Sequence, residues 1–129
     1  MKKILIAVGN SEVGEMTRES LIRHFGVPPE CIRLTDNEEI TLKILREEPF
    51  HTLLVSTTLS VGDGFHLIQE AKGLPVPPLI ILISGYTRES VQETLTQLGI
   101  TGIFLLPLPF KKEDLEKALC DTHFLPLYC

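Results

Sequence analysis

Short runs of consecutive apolar residues alternate with longer amphipathic segments, and the alternation repeats five times along the chain. The runs cover residues 3–8, 31–35, 52–57, 79–84 and 102–106 and are rich in Ile, Leu and Val at successive positions. Strands buried on both faces have this composition, as in a parallel sheet covered by helices on each side. Only the second run, Cys31-Ile32-Arg33-Leu34-Thr35, mixes polar with apolar positions, which marks it as an edge strand.

The intervening segments carry helix signals. Asn10 or Ser11 can cap a helix running to about Phe25, where Gly26 and the pair Pro28-Pro29 stop it. Asp36 or Asn37 can cap the next, with Ile40 and Ile44 one turn apart, Leu45 widening the stripe and Pro49 forbidding continuation. Asp63 caps a third helix bearing Phe65, Leu67, Ile68 and Ala71, and Thr87 begins a fourth with Val91, Leu95 and Leu98. The last starts near Lys111, with Phe110 and Leu115 at staple positions and Glu113 and Asp114 complementing the positive helix end. Every connection is short, and there is no internal repeat, low-complexity tract or linker. The pattern predicts an α/β fold of three layers, a doubly wound parallel sheet of five strands.

Composition narrows the function classes. The chain has 129 residues, with 12 basic and 17 acidic side chains and a net charge of −5, so a nucleic-acid binder relying on bulk charge is excluded. A single domain of this size buries about two thirds of its unfolded surface, enough for a core without metal or disulfide staples. Cys31, Cys120 and Cys129 are odd in number and lack C-x-x-C spacing, which predicts free thiols in a reducing cytoplasm. Lys2-Lys3 before an apolar run is too brief for a secretory signal, and no run approaches the roughly 18 residues of a membrane span. A soluble cytoplasmic protein is expected.

In a doubly wound sheet, ligands bind beyond the carboxyl ends of the strands. The residues there are Val8, Gly9 and Asn10 after the first run, Ser56, Thr57 and Thr58 after the third, Ser84 and Gly85 after the fourth, and residues 106–109 after the fifth. None is a carboxylate, histidine, cysteine or lysine, so a divalent cation or a phosphate lacks its usual partners. Gly9 and Gly14 have the spacing of a phosphate-binding loop, but Glu15 and Met16 stand where that chemistry needs Lys and Ser or Thr. They read as the start of a helix.

Several fragments together carry a resemblance. Lys2-Lys3-Ile4-Leu5-Ile6, the segment 37–50 (NEEITLKILREEPF), Gly62-Asp63-Gly64-Phe65, Ile83-Ser84-Gly85-Tyr86, Leu98-Gly99 and Pro109-Phe110 occur in the order and spacing of a response-regulator receiver domain. The chain resembles that CheY-like family over nearly its whole length. The resemblance implies a flavodoxin-like sheet in strand order 2-1-3-4-5 with five helices, a receiver-like domain over residues 1–121, and an apolar tail over 122–129.

It also implies a loss. Receivers hold magnesium with acidic residues at the positions matching Val8 and Gly9, and accept the phosphoryl group on an aspartate matching Ser56. Their lysine before a proline is matched by Leu106 before Pro107 or by Leu108 before Pro109. Only the hydroxyl matching Ser84 is kept. Phosphoryl transfer to a carboxylate needs metal and lysine to neutralise charge at the transition state. The resemblance therefore points to a pseudo-receiver with no catalytic residue, metal or cofactor.

Other candidates read as structure. Asp63 before Gly at a helix start is a cap rather than a displaced phosphoacceptor, and His24, His51, His66 and His123 lack the spacing of metal ligands. Lys111-Lys112 is too small a basic patch for a phosphate backbone, and Ser56 has no histidine base beside it. The family implies that partners, or a second copy in a homodimer, meet the face formed by the fourth helix, fifth strand and fifth helix. Here that is Val91, Gln92, Leu95, Ile103, Leu105, Glu116 and Lys117, with Ile103 or Leu105 where receivers keep an aromatic switch residue. A protein-interaction module in bacterial signal transduction follows, one that contacts neither nucleic acid nor membrane. The alternatives are a flavodoxin-like domain in small-molecule binding or group transfer, and a receiver excised from a longer regulator. The first strand is also similar to phosphotransferase-system IIB domains, which carry a nucleophilic cysteine where Val8 stands. Phe124, Leu125, Leu127 and Tyr128 could pack on the body, pair with a second chain or lead into another domain.

Overall fold

In the computed structural model, which describes residues 2–125, five strands and five α-helices alternate. The strands are β1 (Ile4–Ala7), β2 (Ile32–Thr35), β3 (Thr52–Ser56), β4 (Leu79–Ser84) and β5 (Ile103–Pro107). The helices are α1 (Ser11–Phe25), α2 (Glu38–Glu47), α3 (Gly64–Lys72), α4 (Arg88–Gln97) and α5 (Lys112–Asp121), with a short 3₁₀ turn at Pro29–Cys31. All strand pairs are parallel and the order is β2-β1-β3-β4-β5. The expected architecture and order are both present.

Helix starts follow capping chemistry. Asn10, Asn37, Asp63 and Thr87 each accept a backbone N–H from the first turn of the helix they precede. At α5 the Asp114 carboxylate instead takes the Lys111 N–H at 2.8 Å. These bonds satisfy amides that a helix start would otherwise leave unpaired. Asn37, not Asp36, caps α2.

Because successive strand residues point to opposite faces, the continuous apolar runs build two cores. Leu5, Leu53, Val55, Ile80 and Leu82 pack under α2, α3 and α4, through Leu45, Leu67, Ile68, Val91 and Leu95. Ile4, Ile6, Leu54, Ile81 and Ile83 pack under α1 and α5, through Leu21, Leu115 and Leu119. Each fully buried aliphatic contributes about 1.5–3 kcal/mol over leaving it exposed. β2 is an edge, with Arg33 and Leu34 exposed.

Two details depart from expectation. Val91 and Leu95 were expected on an interaction face, but their side chains are 3% and 1% exposed and belong to the core, because α4 turns them onto β4 and β5. Cys31 is the expected free thiol and is buried, whereas Cys120 is disulfide-bonded rather than free. Of the expected apolar tail, Phe124 is buried in the core beside α5 and Leu125 packs against it; Leu127 and Tyr128 lie outside the described residues. No helix among the described residues is long and apolar enough to cross a membrane.

The burial of Leu95 makes it a stability position. Leu95→Ala is expected to cost about 2–5 kcal/mol in urea unfolding, and Leu95→Glu more, since it buries an unpaired charge. Exposed Gln92, one turn of sequence pattern away, should tolerate Arg with little change in midpoint.

Candidate functional site

The carboxyl ends of the strands converge on one edge of the sheet. Val8 leaves β1 buried, its N–H bonded to the Thr35 carbonyl at 3.0 Å. Gly9 then passes so close to the β3–α3 loop that a Cβ would lie 2.7 Å from the Thr58 carbonyl oxygen, which its N–H already engages. Only glycine fits that approach. Ser56 ends β3 with its Oγ accepting the Thr58 N–H at 3.2 Å, and Ser84 ends β4 with its Oγ accepting the Tyr86 N–H at 3.0 Å. The Leu108 N–H closes the edge on the Ser84 carbonyl at 2.8 Å.

Between these ends lies an open cleft of about 390 Å³, lined by Val8, Ser56, Thr57, Thr58, Tyr86 and Leu108 together with Asn10, Val13 and Gly85. Val8, Ser56 and Leu108 therefore line one cleft. Leu106 does not join them, being 1% exposed in the core under α5, so Leu108 is the leucine of the cleft. Gly9 faces an adjoining hollow with Thr35 and Asp36, and Ser84 sits beneath a small hollow beside Arg88 and Leu105.

Among the described residues, none that lines the cleft carries a carboxylate, amine or imidazole. The Asn10 carboxamide oxygen is engaged by the Glu12 and Val13 amides, and Asp63 is occupied capping α3. Among the described residues, no group of three or more His, Cys, Asp and Glu could hold a metal ion. Ser56 Oγ has the Thr58 backbone amide as its partner, and no base lines the cleft among the described residues. The arrangement can offer hydroxyls and apolar contact, but nothing to neutralise a developing phosphoryl charge.

The face of α4, β5 and α5 is more polar at its rim. A groove of about 310 Å³ runs over β5, lined by Arg88, Gln92, Ile103, Leu105, Lys117 and Asp121 among others. Gln92 and Lys117 are exposed, while Ile103, Leu105 and Glu116 are half-buried. Lys117 is paired with Asp121 at 2.9 Å.

One cluster escaped the sequence. Glu38, in the first turn of α2, is buried and accepts the Asp63 N–H at 2.9 Å on Oε1, while its Oε2 meets His66 Nδ1. Burial opposes ionisation of Glu38, but the Asp63 amide and His66 outweigh it and hold the carboxyl below its ordinary value. His66 is held above its ordinary value by the Glu38 hydrogen bond and charge, with Glu70 and Asp63 adding to them. Glu38 and His66 are 28 positions apart, so no periodicity links them.

Solved structures place this geometry. The N-terminal domain of an uncharacterized protein from Wolinella succinogenes matches with 18% identity and a TM-score of 0.76, over 97% of this chain and 96% of its own. A CheY-like receiver domain from Methylobacillus flagellatus matches with 16% identity and a TM-score of 0.73, over 95% and 98%. The receiver domain of a Pseudomonas aeruginosa sensor histidine kinase, which has magnesium coordinated in its active-site cleft, matches with 22% identity and a TM-score of 0.73, over 93% and 95%. No protein-family model matches the chain, and no curated protein sequence does either. The chain thus has the response-regulator receiver fold.

A cleft without carboxylates should not gather a divalent cation. Isothermal titration with millimolar magnesium is expected to give only the unsaturated heat of a generic acidic surface. A saturable isotherm altered by Ser56→Ala would put a metal in the cleft.

Proposed function

We propose that this chain is a pseudo-receiver, a protein-interaction module of bacterial signal transduction that works without phosphorylation. The observation that carries this reading is the composition of the cleft. Val8, Ser56 and Leu108 stand together where receiver chemistry would need acid, aspartate and lysine, and among the described residues no ionised group lines the cleft with them. A domain with no reaction to perform acts through its surface.

The surface we assign is the groove over β5. Its exposed Gln92 and Lys117 surround half-buried Ile103 and Leu105, a polar rim around an apolar floor, which is the usual make-up of a protein interface. Val91 and Leu95 support it from below. An aliphatic side chain at 103 and at 105 offers no aromatic ring to report phosphorylation, in keeping with one fixed state. The occupant is a protein partner or a second copy of the chain, and the module needs no cofactor.

The neutral cleft also favours a second reading, a small-molecule site built on the hydroxyls of Ser56, Thr57 and Thr58. One comparison separates the two. Association measured by analytical ultracentrifugation and by affinity capture should be lost in Gln92→Arg and retained in Ser56→Ala. The reverse result would move the function into the cleft.

A further inference from the structure

Glu38 is the one charged side chain among the buried residues described, 8% exposed, and the loop 57–63 is built around it. Its backbone N–H donates to the Val61 carbonyl at 2.9 Å, and its carboxylate accepts the Asp63 N–H at 2.9 Å. Gly62 adopts a φ of 102°, with Glu38 filling the space that a Cβ would take. From there the fastening runs to the cleft. The Ser60 and Val61 amides engage the Asp36 carbonyl, Ser60 Oγ donates to the Gly9 carbonyl at 3.3 Å, and Thr57 and Thr58 form part of the cleft wall.

A carboxylate so removed from water stays ionised only through its partners, and the one partner that can change charge is His66. The His66 side chain is 56% exposed, so protons reach it freely. The charged groups facing it are Glu38 from α2, Asp63 from the loop and Glu70 from α3, the last at 3.5 Å from Nε2, and all three are acidic. We propose that Glu38 and His66 form a proton-dependent latch that holds the loop 57–63 against α2 and thereby sets one wall of the cleft. This goes beyond the interaction reading and does not depend on it.

The direction follows from linkage. A histidine raised in the folded state gives stability that is fully present below its ordinary value of 6.5 and is lost as pH rises through the raised value. A glutamate lowered in the folded state gives stability that is present above its ordinary value of 4.5 and is lost as pH falls through the lowered one. The latch is therefore closed in mildly acidic solution and loosens on the alkaline side, while its acid release lies below the ordinary carboxylate range.

Amide hydrogen exchange followed by NMR on the full chain between pH 5.5 and 8.5 tests this, after correction for intrinsic base catalysis. Protection of the Asp63 amide is expected to fall severalfold as pH rises, with the midpoint of the His66 ring titration, and the Thr58 amide shift should move with the same midpoint. In His66→Gln, protection should be lower than wild type at pH 5.5 and flat with pH. Wild-type protection that is flat across His66's titration, or an unchanged pH profile in His66→Gln, would overturn the latch.

Discussion

The three inner strands β1, β3 and β4, covered on both faces, leave no room for polar side chains between their ends. Each strand must be apolar at successive positions, so that one set meets α2, α3 and α4 and the other meets α1 and α5. Polar groups are confined to the strand ends, and the parallel direction of all five strands gathers their carboxyl ends at one edge. Whatever chemistry the fold performs has to be assembled there. In this chain that edge carries Val8, Ser56 and Leu108, whose side chains are neutral, and the hydroxyls of Ser56 and Ser84 are turned to backbone amides.

Charge at this end of the molecule lies beside the cleft. Buried Glu38 lies at the start of α2, where it organises the loop that follows β3, and its side-chain partner is the exposed His66. A buried carboxylate stripped of its partners would be strongly unfavourable, so the loop, Asp63 and His66 are held together by the same requirement. The loop in turn meets Gly9, where the backbone approach leaves no space for a side chain. The charged pair beside the cleft thus serves to hold the loop in place.

The elements were legible because they rest on local rules. Period, proline and glycine stops, and the caps Asn10, Asp63 and Thr87 all act within a few residues, and the structure has each where the pattern puts it. Three features were not legible. Leu106 and Leu108 both precede proline, and only the end of β5 separates the one in the core from the one in the cleft. Val91 and Leu95 lie on an amphipathic helix whose apolar stripe has no label for core or partner until α4 is docked. The Glu38–His66 pair joins two helices through a loop, a contact created by tertiary structure alone.

A cleft of this composition is expected to have no capacity for phosphoryl chemistry. Thermal unfolding in magnesium and beryllofluoride measures that most directly, since a ligand that binds only the folded state raises the melting temperature by mass action. The melting temperature should be unchanged across the titration. A saturable upward shift would contradict that expectation and give the cleft a phosphoryl-like ligand.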